Sequence, residues 1–361
     1  MTLLADRPGT YLPTPDQHQL LRAALLLDRD AAMESLARWR SAVDLDAIDA
    51  GSMRVLPLRF RNLQRLEIVP PDAERLKGIY RRSWYRNELL LEGGRQALHE
   101  LHAAGIATLL LKGAAVVTTL TSEHGIRPMQ DFDLLVRRAD FARAAAVLSA
   151  AGWKMDDAVR DARAHFAYQH AISFRRESAD VDLHWTSIWG VFDREGEREF
   201  QAAARPAVFR GEQTRVLAPE DAVLQICAHA TLAHPEVSPI RWVGDAVLTI
   251  RAAGEHFDWR RLVALAKLRR LSLALLCCLE YLRDGIDVAI PAEVLSELAA
   301  AVTAGEAGWL RSRSSLDLRF RSHTLRIWRD LAMLDGWIAL PSRAVLLARF
   351  VWSRLAQRVS S

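Results

Sequence analysis

Cysteine is scarce in this chain of 361 residues, standing only at positions 227, 277 and 278. An odd number, with two of the three adjacent inside an apolar helical pattern, argues against a disulfide framework and against a zinc site, and it suits a reducing compartment. Lysine is nearly as scarce. Of 48 basic residues only Lys77, Lys112, Lys154 and Lys267 are not arginine. Such a bias follows as readily from GC-rich coding as from nucleic-acid binding, so the net charge of +4 identifies no partner. No uncharged run approaches the roughly eighteen residues that a membrane-spanning helix needs. The opening "MTLLADRPGTYLP" has neither the basic segment nor the apolar core of a secretion signal, and a cytoplasmic protein is expected. Zinc-finger spacing, an aromatic-basic strip, an internal repeat and low-complexity sequence are all missing too.

What is present is a globular composition, 50% apolar and 25% charged, in a chain long enough for two or three cores. "TPDQHQLLRAALLLDRDAAMESLARWRSAV" and "PPDAERLKGIYRRSWYRNELLLEGGRQALHELHAAG" place apolar residues three and four apart, as helices do. The prolines near their starts suit a first helical turn. After about residue 100 the period changes. "IATLLL" reads as a buried strand, "KGAAVVTTLTS" as a helix, "QDFDLLVRR" as a strand, and "ADFARAAAVLSAAG" as a helix that Gly152 ends in the left-handed conformation. "HFAYQHAISF", "RRES" and "DVDLHW" then form a hairpin pattern. From "LAPEDAVLQICAHATLAH" the helical period returns and lasts to the end. The expectation is an α+β protein: a helical region over 1–100, a core with a small mixed β-sheet over 101–217, and a helical domain over 218–361.

Within the α/β region, "RPMQDFDLLV" has two aspartates on one side of a strand, Asp131 and Asp133, with Phe132, Leu134 and Val136 on the other. Alone, such a pair most often marks a solvated strand face. "DVDLHW" repeats the alternation, with Asp180, Asp182 and His184 facing one way and Val181, Leu183 and Trp185 the other. If the two strands are neighbours, several carboxylates converge, and their repulsion calls for a divalent cation. Magnesium fits because it is a hard ion that combines one or two carboxylates with water and phosphate oxygens. Upstream, "LLLKG" sets Lys112 and Gly113 on a turn opening a helix, and Arg127 precedes the first aspartates by four residues. Cations and helix amides at that place suit phosphate. Together these groups ask for a nucleoside triphosphate.

These motifs resemble the uncharacterised nucleotidyltransferases of the DNA polymerase beta-like superfamily. The family pattern has "LLKG" on a strand-to-helix turn, an arginine before "DxDLLV", and "vDLHW" on a later strand. Here these are "LLLKG" at 109–113, Arg127 with "DFDLLV" at 131–136, and "VDLHW" at 181–185. Weaker likeness runs through "IRWVGDAVLTI", with Trp242 and Asp245, and the whole covers about residues 85 to 295. The resemblance implies that Asp131, Asp133 and Asp182 bind the metals, two magnesium ions or manganese in their place, and that Asp182 activates the acceptor hydroxyl. It also implies that the Lys112–Gly113 turn replaces the superfamily's Gly-Ser phosphate turn, which the chain lacks. Lys112, Gly113, Arg127 and His184 are then the expected nucleotide contacts, with Asp245 a further candidate in the helical half.

The expected function is transfer of a nucleoside monophosphate from a triphosphate to an acceptor, with release of pyrophosphate. Protein, peptide, sugar, small molecule and RNA all stay open as acceptors. The alternatives are a catalytically silent nucleotide-binding or sensor module and an RNA-modifying nucleotidyltransferase of a toxin-type system. Asp180 has no counterpart in the family pattern and reads as a turn residue. The pairs His165 with His170 and His229 with His234 are five apart, a spacing that fits neither one helix face nor one strand face, and they read as core or surface histidines. The basic amphipathic tail "WIALPSRAVLLARFVWSRLAQRV" is expected to pack on its own domain, with contact to a membrane surface or partner helix as the lesser reading.

Overall fold

A computed structural model describes residues 11–156, 170–188, 194–232 and 240–307. The amphipathic tail, His165 and His234 lie outside the described residues. The first helical run is two helices, α1 (Pro15–Leu25) and α2 (Arg29–Ala42), and each has a side-chain cap at its start. Thr14 and Gln17 form a capping box on α1, while Asp28 accepts from the Ala31 amide and so begins α2 inside what reads as one continuous pattern. Two shorter helices follow, α3 (Ala50–Met53) and α4 (Leu56–Arg65), and then the long α5 (Ala73–Ala103).

The α/β segment comprises β1 (Thr108–Leu110), α6 (Lys112–Thr119), β2 (Phe132–Val136), α7 (Phe141–Ala150) and β3 (Lys154–Met155). It continues with β4 (Ala171–Arg176), β5 (Ala179–His184), α8 (Arg194–Ala203), β6 (Arg205–Phe209) and β7 (Glu212–Val216). Gly152, just past the end of α7, has φ +89°, the left-handed geometry expected of it. The strands form one mixed sheet in the order β3-β4-β5-β2-β1-β7-β6. Its centre matters most for the site. β1 runs antiparallel to β2, and β2 runs parallel to β5, so two segments far apart in sequence lie side by side. Five helices complete the described chain: α9 (Pro219–Leu232), α10 (Arg241–Ala253), α11 (Trp259–Leu268), α12 (Ser272–Ile286) and α13 (Ala292–Ala301). Among the described residues no helix is long and apolar enough to cross a membrane.

Two apolar clusters hold these layers. In one, Phe132, Leu134, Val181 and Leu183 of the sheet meet Leu90, Leu91 and Leu98 of α5. A Cβ on Gly94 would fall 2.4 Å from the Phe132 ring, so only glycine lets α5 lie this close to the sheet. In the other, Leu20, Trp39 and Phe60 of the N-terminal helices pack with Val243, Val247, Cys277 and Leu282 of the C-terminal ones, and Leu109, Leu111 and Leu135 join from the sheet. Each fully buried leucine or phenylalanine contributes roughly 1.5–3 kcal/mol relative to exposure. The alternation of β2 therefore divides its side chains between two layers. Phe132 and Leu134 face α5, and Asp133 and Leu135 face the helices of the chain's two ends. That division leaves the acidic face of the sheet on the side of these helices.

Candidate active site

The carboxylates meet because of strand register. Asp133 and Asp182 are direct partners across the parallel pair β2 and β5, and Leu135 is the partner of His184. Oxygen or nitrogen atoms of Asp133, Asp182 and His184 all lie within 4.8 Å of one another. Asp131, one residue before β2, stands outside that group but interacts electrostatically with Asp133, Lys112 and Asp182. Ser173, opposite Asp182 on β4, donates its hydroxyl to Asp182 Oδ1 at 2.5 Å. Asp180 pairs with Arg175 across the same hairpin, at its far end, away from the cluster.

Lys112 enters the cluster through the turn between β1 and α6. The Leu111 amide bonds the Asp133 carbonyl at 3.1 Å, extending the β1–β2 ladder, and Lys112 follows at φ +45°. A non-glycine residue in left-handed backbone costs on the order of 1 kcal/mol. The turn lets Nζ reach Asp133 Oδ1 at 2.6 Å, while His184 Nε2 bonds the same oxygen at 2.9 Å. Burial alone would raise the Asp133 carboxyl, but the Lys112 charge and the His184 hydrogen bond outweigh it and hold the group well below the usual carboxylate range. Asp131 behaves oppositely: burial and the neighbouring Asp133 charge push it up to about 6. Lys112 is raised, because Asp133 and Asp131 overcome its own desolvation.

Acids that resist being charged together are relieved by a divalent cation. The donor set passes that test for a hard ion, since the cluster is built of carboxylate oxygens and its one imidazole already points Nε2 at Asp133. Within that group, Asp133 and Asp182 are the carboxylates that could hold an ion.

Gly113, second in α6, is tightly covered: a Cβ there would fall 2.2 Å from an Arg127 guanidinium nitrogen and 2.6 Å from Met129 Sδ. Arg127 forms a two-pronged ion pair with Asp245 of α10, Nε and Nη2 each 2.8 Å from a carboxylate oxygen. These two family positions, far apart in sequence, thus bind each other. Trp242 donates its indole N–H to the Tyr11 carbonyl at 2.9 Å, tying α10 to the N-terminal segment.

Two contributors escape a reading of the sequence, and a third, His170, is read there only as a core or surface histidine. Asn87, buried in α5, donates to the carbonyls of His124 and Arg127 and accepts from the Met129 amide, so it clamps the loop that carries Arg127. A lone asparagine on the apolar stripe of α5 was the available signal. Arg241, at the start of α10, donates to the Pro128 carbonyl at 2.8 Å and lies near Asp131. His170 packs against His184, with ring centroids 4.9 Å apart. Burial, then the His184, Lys112 and His229 charges, hold His170 well below the usual histidine range. Of the spaced histidines, His170 therefore finds its neighbour on the adjacent strand.

The fold sets paired acids on adjacent parallel strands of a mixed sheet, as the sequence motifs lead one to expect of a nucleotidyltransferase. The sequence agrees: the family described as "Uncharacterised nucleotidyltransferase" matches residues 48–285, more than half of the chain, and the chain belongs to it. In structure it is similar to the solution structure of the antibiotic-resistance factor ANT(2'')-Ia, with TM-score 0.39 and 14% identity over 53% of this chain and 96% of that one. It is also similar to the crystal structure of ANT(2'')-Ia in complex with adenylyl-2''-tobramycin, with TM-score 0.36 and 14% identity over 48% and 93% of the two chains. No curated protein matches the chain in sequence.

Proposed function

We propose that the protein transfers a nucleoside monophosphate from a nucleoside triphosphate to an acceptor hydroxyl, using Asp131, Asp133 and Asp182. The observation that carries this reading is the register that sets Asp133 beside Asp182, with Lys112 and His184 on one oxygen of Asp133. The acceptor oxygen forms a bond to the α-phosphorus, the bond from that phosphorus to the bridging oxygen of the β-phosphate breaks, and pyrophosphate leaves. Asp182, half-buried and held by Ser173, takes the proton of the acceptor hydroxyl. Bound magnesium, or manganese in its place, supplies positive charge for the triphosphate and lowers the pKa of the attacking oxygen. Lys112 supplies a cation beside the acids. The start of α6 has no side-chain cap, which leaves its first amides for phosphate oxygens. Gly113 keeps that turn free of a side chain, His184 orients Asp133 from behind, and the Arg127–Asp245 pair braces the turn against α10.

The test is to incubate the protein with magnesium and each labelled nucleoside triphosphate, with and without cell extract, and to follow both pyrophosphate and the species that takes up label. Asp133→Asn should abolish transfer while the protein still unfolds cooperatively. An Asp133→Asn variant as active as the parent would overturn the reading. Triphosphate-dependent thermal stabilisation with no pyrophosphate released would assign the fold to nucleotide sensing instead.

A further inference from the structure

The sequence reads as lacking an aromatic-basic strip, yet α5 carries one once it is folded. In "YRRSWYR" the side chains of Arg81, Arg82, Trp84, Tyr85 and Arg86 are exposed, while Ser83 and Asn87 face inward, so the helical period gathers the five on one side. Tyr85 is 60% exposed and Trp84 46%, although aromatic rings normally bury most of their area. Among the described residues, Arg81, Arg82 and Arg86 have no ion-pair partner, and none of them has an acid three or four residues away along the helix. The other cations of α5 are matched: Arg75 with Asp46, Lys77 with Glu74, and Arg95 with Glu92. Arg82 and Arg86, one turn apart, repel each other instead.

The strip borders the loop that runs into the acids. A Cβ on Gly125 would fall 2.7 Å from the Tyr80 ring and 3.1 Å from Trp84 Cβ, and Asn87 of the same helix holds the carbonyls of His124 and Arg127. From Gly125 to Asp131 is a stretch of chain that spans at most about 20 Å. Free guanidiniums suit phosphates, and exposed rings among them suit bases, which stack on aromatic side chains whatever their sequence. An acidic peptide would use the charges and leave both rings without a role. An anionic membrane would need a broad apolar face, whereas the large apolar side chains exposed here are only the two rings and Leu89.

We propose that this face of α5 binds single-stranded nucleic acid, with phosphates on Arg81, Arg82 and Arg86 and bases stacked on Trp84 and Tyr85. A terminal hydroxyl of the bound strand is then the acceptor, a part that rests on the nucleotidyl-transfer reading. RNA and DNA strands share the chemistry of phosphate and base that the strip offers.

Fluorescence anisotropy of labelled oligouridylate and oligothymidylate, titrated with the full chain at salt from about 50 to 200 mM, reads binding without requiring turnover. The parent should bind, more weakly as salt rises, and the tighter of the two oligonucleotides identifies the strand as RNA or DNA. Tyr85→Ala should weaken binding about tenfold, as expected for a lost stacked base. Arg82→Gln should weaken it and reduce the salt slope by roughly one. Both side chains are exposed, so both variants should unfold as the parent does. Arg38→Gln removes an exposed arginine of α2 that is already paired with Glu34, and it should bind as the parent does. An equal loss in Arg38→Gln overturns the proposal, because net charge alone would then explain the binding. A parent that ignores both oligonucleotides at low salt overturns it, and so does unchanged binding in both α5 variants. Binding to anionic phospholipid vesicles that Tyr85→Ala abolishes, with oligonucleotide binding intact, also overturns it and assigns the face to a membrane. Oligonucleotide binding that the α5 variants lose, in a chain that transfers nucleotide to nothing, leaves the docking face standing and removes the transfer reading. Parent-like transfer by variants that no longer bind the strand overturns the acceptor assignment and leaves the transfer reading in place.

Discussion

Lys112 and Asp133 form an ion pair of 2.6 Å in which the carboxylate is almost wholly buried and the ammonium only slightly exposed. The lysine thus puts a positive charge beside the Asp133–Asp182 pair, where Asp131 also acts on it electrostatically. Breaking a buried pair from one side typically costs about 3–5 kcal/mol, because the remaining charge is stranded. Lys112→Met is therefore expected to lose roughly 3 kcal/mol of stability in metal-free buffer. Millimolar magnesium or manganese should restore part of that loss, since an ion that binds only the folded state stabilises it by mass action. Urea unfolding with chelator and with each ion reads both effects, and a variant as stable as the parent in chelator contradicts the first.

The loop carrying Arg127 depends on one amide side chain. Asn87 bonds two carbonyls and one backbone N–H between His124 and Met129, and it is buried. Asn87→Leu leaves those groups unsatisfied, at about 1–3 kcal/mol for each that water does not reach. The expected outcome is a loss of roughly 3 kcal/mol together with faster amide exchange across residues 124–129 and little change in α13. Unaltered exchange in that loop would show that Asn87 is not its clamp.

Gly113 is not itself in left-handed backbone, so its constraint comes from the side chains that cover it. The added methyl of Gly113→Ala meets a guanidinium that two hydrogen bonds fix on Asp245. A free arginine would swing aside at little cost, whereas this one moves only by disturbing its pair. Overpacking of this kind costs about 1–3 kcal/mol. Because the loss passes through Arg127, Gly113→Ala and Asp245→Asn should be non-additive, with a coupling of roughly 0.5–3 kcal/mol in a double-mutant cycle. Simple additivity would place the methyl's cost elsewhere.

The elements of this site were legible wherever the signal was local. "DFDLLV", "VDLHW" and "LLLKG" alternate or turn within a few residues, and they are β2, β5 and the passage from β1 to α6. Their adjacency was not legible in periodicity, because the pairing of β2 with β5 spans, among the described residues, a helix and two other strands. The hairpin of β6 and β7 escaped notice although "RPAVFRGEQTRV" carries its signal. Arg210 and Gly211 take φ +48° and +88°, the left-handed pair favoured in a two-residue hairpin turn. The nearness of Arg241 and Arg54 to Arg127 was hidden for another reason. With arginine so abundant, Arg54 and Arg241 look like every other arginine until the fold brings them beside Arg127.

Away from the site, Asp221 of α9 offers a pH test of burial against pairing. Its side chain is fully enclosed, and Arg261 holds it at 2.8 and 3.0 Å. Burial nonetheless outweighs the arginine, and the carboxyl is pushed up from 3.8 to about 6. Between those two values the folded protein binds more protons than the unfolded chain, so this group's contribution to stability is fully present below pH 3.8 and is lost as pH rises through about 6. The full span is worth about 3 kcal/mol. Asp221→Asn removes the titration while keeping the shape. Its stability relative to the parent should therefore rise by up to about 3 kcal/mol between pH 4 and pH 7.5, in urea titrations of the two proteins at matched ionic strength. Parallel pH profiles would mean that Arg261 keeps Asp221 charged throughout, and a difference of the opposite sign would mean that the ion pair prevails over burial.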